Sequence, residues 1–362
     1  MNIPLSQPDI TNLERKAVLE VLKTPDLTLG PKLKEFEKKI AQYVGKKYAI
    51  GVNSGTAGLH LIIKVLNIKD NDEVITTPFS FVSSSNCILY ERARPVFVDI
   101  NPKTLNIDVS KIEKKITNKT KAILAIDIFA NSADWDELTR IAKKYNLYLI
   151  EDSAEALGTE YKDKKCGSFG DAAIFSFYPN KQITCGEGGM ILTDDKNISD
   201  FCYSMRNQGR RKENNKWLEH IRLGYNYRMP EVCAAMGIAQ LKRIEEILEK
   251  RAEVAYLYNE KLRDFQEIKL PPNAKNWFVY VVRMNDRDRI IKEMIENGIQ
   301  CSDYFQPIHL QPYYREKFGF KKGDFPICEQ ISERTIALPF YNNLQEEQID
   351  YIVEILKKII KQ

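Results

Sequence analysis

Histidine is scarce in this chain, with only His60, His220 and His309 among 362 residues, so chemistry built on clustered imidazoles has little to work with. There is no Cys-x-x-Cys pair either. The seven cysteines (Cys87, Cys166, Cys185, Cys202, Cys233, Cys301 and Cys328) are scattered and odd in number, which argues against a disulfide framework and a structural zinc site. No metal is expected. Cys185 has no histidine beside it in sequence, so it reads as a buried thiol and not as a nucleophile. No apolar run reaches the roughly 18 residues of a membrane-crossing helix, and the opening MNIPLSQPDI lacks a basic and then apolar leader. A soluble, cytoplasmic protein without a membrane partner is expected. Neither sign of charge prevails, with 54 basic side chains against 50 acidic ones, and no basic stripe is interleaved with aromatics. That pattern excludes an obvious nucleic-acid surface. Two phosphate-loop signatures, GxxxxGK[ST] and GxGxxG, are both missing.

What is present is alternation. From residue 48 onward, short apolar runs (YAIGV, EVITT, PVFVDI, AILAIDIF, LYLIED, AAIFSF, GMILT) are separated by helical patterns such as GLHLIIKVL, a run beginning near Phe81, and DELTRIAKKY. Strands alternating with helices predict an α/β domain with a largely parallel sheet covered by helices. Near residue 230 the rhythm changes, and MPEVCAAMGIAQLKRIEEILEKRAEVAYLYNEKL reads as one long helical region. A strand at WFVYVVRM, a helix over DRDRIIKEMIENGI closed by Gly298, and an amphipathic last helix with Ile349, Ile352, Leu356, Ile359 and Ile360 on one face complete a small α+β domain. The expected division is residues 1–245, a large domain with an N-terminal arm, and residues 246–362.

Ligands of parallel α/β sheets gather at the carboxyl ends of strands, so the residues after each apolar run form one set. NSGTAGLHL passes through Ser54, Gly55 and Thr56 into a helix, where small residues let an anion approach the amides at the positive end, unless they serve only as a cap. LYLIEDSAEALG runs into Glu151 and Asp152, a carboxylate needing a cationic or protonated partner, or else another cap. AAIFSFYPNK ends on Ser176 and sets Lys181 in a turn close to an apolar strand end, where desolvation lowers a lysine pKa toward reactivity. TTPFSFV offers Phe81 as a flat apolar plate or as a core aromatic. Taken singly, each has a plain structural reading. Together, an anion cradle, an acid, a lysine and an aromatic plate suit a planar, phosphorylated aldehyde with a protonated ring nitrogen, namely pyridoxal 5′-phosphate.

The same motifs, with LTLGPKLKEFEKKIAQYVG, GEGG, LGYNYRM, PIHLQPYY, GDFP and LPFY, cover nearly the whole chain and resemble the DegT/DnrJ/EryC1/StrS aminotransferases, which make amino sugars on nucleotide carriers. The resemblance implies fold type I of the PLP-dependent transferases: a large, mostly parallel mixed sheet sandwiched by helices, a small α+β C-terminal domain, and a homodimer with shared active sites. It implies that Lys181 bonds the cofactor aldehyde and Asp152 partners the pyridinium nitrogen. Gly55, Thr56 and Ser176 would hold the phosphate, Phe81 would stack on the ring, and Glu155 would lie beside the 3′-oxygen. Asn226 would reach the phosphate of the neighbouring subunit, and Arg228 and His309 would lie near the nucleotide sugar.

Three departures stand out. Glu155 replaces the glutamine most relatives carry, a feature of C4 aminotransferases of the perosamine type. The common VHxxG reads IDIFA, with Asp127 for His and Ala130 for Gly, and RNHG reads RNQG over Arg206–Gly209. Both leave substrate contacts open. The reading that follows is transamination of a nucleotide-linked keto sugar, a 4-keto-6-deoxy sugar first, with L-glutamate as donor, serving surface polysaccharide or glycan synthesis. Amination at C3, a sugar dehydratase of the same fold and a PLP-binding regulator are the alternatives. Dehydratases replace the lysine with histidine, so Lys181 speaks against that branch.

Overall fold

The computed structural model describes residues 1–211, 219–272, 274 and 276–361. Eleven strands appear among them: β1 (Tyr48–Val52), β2 (Glu73–Thr76), β3 (Arg94–Phe97), β4 (Thr120–Ile126), β5 (Tyr148–Asp152), a small hairpin of β6 (Glu160–Tyr161) and β7 (Lys164–Lys165), β8 (Ala172–Ser176), β9 (Gly189–Thr193), β10 (Tyr280–Arg283) and β11 (Thr335–Leu338). Seven of them form one sheet in the order β1-β9-β8-β5-β4-β2-β3. Only β9 runs against the others, pairing antiparallel with both β1 and β8. The expected mixed, mostly parallel sheet is therefore present, and six strands deliver their carboxyl ends to one edge.

Burial on both faces explains why these strands read as unbroken apolar runs. Alternate residues of β8 and β9 serve two cores. Ile174 and Ile191 pack on one side with α3 (Gly55–Val65), whereas Ala173, Phe175 and Leu192 pack on the other with α2 (Pro31–Val44). A third cluster gathers Ile75, Ile123 and Ala125 under Trp135 and Leu138 of a helix at Trp135–Tyr145.

The first 47 residues, where no strand alternation could be read, include two helices, Asn12–Leu22 (α1) and α2. The long helical region near residue 230 is two helices, Glu231–Lys242 and Ile244–Leu262, broken at Arg243, whose φ of −106° and ψ of 14° leave the helical region. No glycine or proline marks that break. Arg243 instead joins Asp9, Glu14 and Glu246, tying the break to the start of α1.

A separate core holds Val254, Tyr258 and Leu262 with β10, β11, the helices Arg287–Glu296 and Glu346–Ile360, and Ile3 from the N-terminus. The segment between does not belong to it. Ile308, Tyr314, Phe325, Cys328 and Ile331 pack into the core of the large sheet instead. No helix among the described residues is long and apolar enough to cross a membrane.

Candidate active site

At the carboxyl edge of the sheet lies a cavity of about 610 Å³. Seven residues singled out from sequence line it: Gly55, Thr56, Phe81, Asp152, Glu155, Ser176 and Lys181. Their convergence follows from strand order, because β5 and β8 are parallel neighbours with Asp152 opposite Ile174. Phe81 is 59% exposed and presents an open ring face at the cavity mouth.

Ser54 caps α3, its side chain accepting from the Ala57 amide at 3.1 Å, so the plain reading of that serine is correct. The cap leaves the first-turn amides of Gly55 and Thr56 as donors without partners within the helix. Gly189 makes this turn possible: a Cβ there would lie 2.6 Å from the Ser54 carbonyl oxygen and 2.8 Å from the Gly55 nitrogen.

Asp152 is nearly buried. It accepts from Ser84 Oγ at 2.9 Å and the Ala154 amide at 3.1 Å, while burial pushes its pKa up against those hydrogen bonds. Glu155 lies 3.8 Å from Lys181 Nζ and accepts from the Phe129 amide at 2.8 Å; burial raises its pKa, with the lysine opposing. Burial lowers the Lys181 pKa, and the two carboxylates resist that fall. The uncharged amine is thus easier to reach than in an exposed lysine.

Three expected residues do not join the cavity of their own chain. Asn226 is exposed and paired with Asn207, and Arg228 Nη1 donates to Asn207 Oδ1 at 3.1 Å. His309 is fully buried, its Nε2 2.9 Å from Glu329 and its ring against Phe320 and Phe325. A side chain sealed in a core does not touch a substrate, so the sequence-based placement of His309 at the nucleotide sugar is corrected to a structural one.

The departures resolve in the same way. Asp127 is buried, accepts from the Ala133 amide at 2.8 Å and from Trp135 Nε1 at 3.0 Å, and meets Glu151 through Ser153 Oγ, which lies 2.5 Å from Asp127 and 2.7 Å from Glu151. In RNQG the departing residue is Gln208, whose carbonyl oxygen lies 2.7 Å from His220 Nδ1, close in sequence to Arg206, an internal cation bonded to Glu37 and the Gly51 carbonyl. Neither Asp127 nor Gln208 faces the cavity. Sequence reasoning missed Ser84, Phe278 and Tyr304, which do. The serine run after Phe81 was the available signal for Ser84, while the two aromatics look like core in sequence.

The DegT/DnrJ/EryC1/StrS aminotransferase family matches residues 8–357. The chain belongs to that family. A GDP-perosamine synthase of Escherichia coli is 36% identical, with 98% of each chain covered. Among solved structures, Helicobacter pylori PseC, an aminotransferase involved in the biosynthesis of pseudoaminic acid, matches with a TM-score of 0.93 at 30% identity over all of both chains. The PLP form of a putative sugar aminotransferase from Streptococcus pneumoniae matches with a TM-score of 0.93 at 28% identity, covering 100% of this chain and 99% of that one.

This member of the family is a fold type I aminotransferase whose cofactor is pyridoxal 5′-phosphate. The cavity fits that group on its own terms. Asn180 Oδ1 is buried at its wall without a hydrogen-bond partner among the described residues, and Asp152 is a buried carboxylate flanked by Ile126 and Ile174. Such groups call for a bound polar partner. Gly55, Thr56 and Ser176 would hold the phosphate, Asp152 the ring nitrogen and Lys181 the aldehyde.

Proposed function

We propose that the protein transfers the amino group of L-glutamate to a nucleotide-linked 4-keto-6-deoxy sugar, producing an amino sugar for surface polysaccharide or glycan synthesis. The observation that carries this reading is the meeting of Lys181, Asp152 and Glu155 at adjoining strand ends, facing a helix N-terminus that suits a phosphate. The GDP-perosamine synthase relative supports a 4-keto substrate. Glu155, in place of the usual glutamine, supports the same subgroup.

When bound, the cofactor supplies an aldehyde to carry the amino group and a ring to take up electrons. Asp152 Oδ holds the proton of the ring nitrogen in place. Lys181 Nζ takes the proton from the α-carbon of the donor and, in the return half, delivers one to the sugar carbon that receives nitrogen. Glu155, fixed by the Phe129 amide, keeps a negative charge near that amine. Burial of the lysine excludes water from the transfer. Asn226 and Arg228, outside their own cavity, serve the second subunit of a homodimer in the cytoplasm, and the chain divides into a large and a small domain near residue 245.

Purified protein should show a visible cofactor band that glutamate bleaches and a 4-keto-6-deoxy nucleotide sugar restores, with the amino sugar identified by mass spectrometry. Absence of the band in the wild type, or an unaltered band in Lys181→Ala, would overturn the site. Recovery with a 3-keto nucleotide sugar alone would move the reaction to C3.

A further inference from the structure

Lys181 Nζ sits 3.9 Å from the centroid of the Phe278 ring. Phe278 is 1% exposed and lies just before β10, so its ring enters the cavity from the side of the smaller core. Arg251, from the helix Ile244–Leu262, holds the backbone of that ring. Its Nε donates to the Trp277 carbonyl at 2.8 Å, its Nη2 to the Phe278 carbonyl at 2.7 Å, and its Nη1 to Asn342 Oδ1 at 3.0 Å. Among the described residues no carboxylate pairs with this buried guanidinium. A buried cation kept on neutral acceptors is costly, and two of its three bonds hold the segment that carries the ring, while the third reaches Asn342.

We propose that Phe278, fixed by Arg251, is the station that receives the Lys181 ammonium whenever the lysine is not bonded to the cofactor; Arg251 is then a positioning residue acting through Phe278. The face of an aromatic ring is negative and attracts an ammonium, most strongly where water is excluded. A free lysine has four rotatable bonds and could sample many places, whereas a ring face gives it one. Several charges bear on the same amine. Glu155 and Asp152 favour its proton, Arg251 and burial disfavour it, and Glu187, Asp303 and Tyr304 stand on the other walls of the cavity. The proposal rests on Lys181 being the proton-carrying lysine, yet its test needs no turnover.

The test uses the cofactor-free protein. Reductive methylation with isotope-labelled formaldehyde places labelled methyl groups on Lys181 Nζ, and NMR should find them displaced upfield by the ring current of Phe278. A Lys181 signal at the position of a solvent-exposed lysine in the wild type overturns the proposal. A second measurement follows the pH dependence of Lys181 acylation by peptide mass spectrometry. Phe278→Leu should move its midpoint down, raising acylation at a fixed pH below the midpoint by about three- to tenfold. Phe278→Tyr should keep the wild-type profile. Arg251→Lys keeps the charge but loses the fork, and should resemble Phe278→Leu; a wild-type profile for Arg251→Lys, or for Phe278→Leu, overturns the proposal. Glutamate-dependent bleaching of the wild-type band is unaffected by any of these outcomes, so the assignment of the reaction stands or falls separately.

Discussion

Glu155 Oε1 and Lys181 Nζ lie 3.8 Å apart at the wall of the cavity, their side chains only 6% and 13% exposed. The carboxylate favours the protonated lysine. Replacing it by an uncharged amide removes that help, so Glu155→Gln should lower the midpoint of Lys181 acylation in the cofactor-free protein by about one pH unit. The acylation profile against pH measures this directly. An unmoved midpoint would place the carboxylate out of electrical contact with the amine.

Asp127 and Glu151 share Ser153 and sit in the interior, where burial raises both pKa values and the Asp127 charge raises that of Glu151 further. The folded state therefore holds protons that the unfolded chain releases near pH 4.3. Stability from this pair is full below that pH and is lost as pH rises through the raised folded values. Thermal melts between pH 5 and pH 8 should decline less steeply for Glu151→Gln than for the wild type, by up to about 1.4 kcal/mol per pH unit, whatever constant offset the amide adds. Parallel declines would mean that the pair is fully ionised when folded.

His309 is a structural side chain, so His309→Gln should cost about 1–3 kcal/mol in urea unfolding by weakening its contact with Glu329. Cofactor affinity and KM for the sugar should stay within about twofold of wild type, below 0.5 kcal/mol. A raised KM with unchanged stability would return His309 to the substrate.

Gly189 and Gly186 separate space from conformation. A Cβ at Gly189 meets the Ser54–Gly55 turn, so Gly189→Ala should weaken cofactor binding about tenfold or more, as read by titration of the cofactor-free protein. Gly186 has a φ of 80° but open space around it. Gly186→Ala should cost about 1–2 kcal/mol of stability and leave that titration unchanged.

Asn226 and Lys181 should complement one another across subunits. Neither Lys181→Ala nor Asn226→Ala should be active alone, and refolding them together should restore about a quarter of wild-type activity if each site takes one residue from each chain. No recovery on mixing would place both residues in one chain's site.

The sheet and seven of the site residues were legible because a strand buried on both faces writes an apolar run, and the residue after it falls at one edge. Asp152 and Ser176 were found that way. The split at Arg243 was not, since nothing but long-range pairing with Asp9 and Glu14 imposes it. His309 misled because a shared motif gives a residue's neighbours in sequence, not its burial beneath Phe325. Asp127 looked like a lost substrate contact, yet its partner Trp135 lies eight residues on and takes up the carboxylate in the interior. Phe278 was invisible for a different reason: an aromatic leading into an apolar strand looks the same whether it faces oil or an ammonium.

The 19-residue helix Ile244–Leu262 carries Ile247 and Leu248 in the core of the large sheet and Val254, Tyr258 and Leu262 in the smaller one, with Arg251 between them. Its consequence is mechanical. A continuous helix resists bending because every turn is clamped to the next, so it acts as a shaft joining the two bodies. Arg251 lies between those two sets and bonds the Trp277 and Phe278 carbonyls, so the helix that spans both cores also holds the ring beside the Lys181 amine.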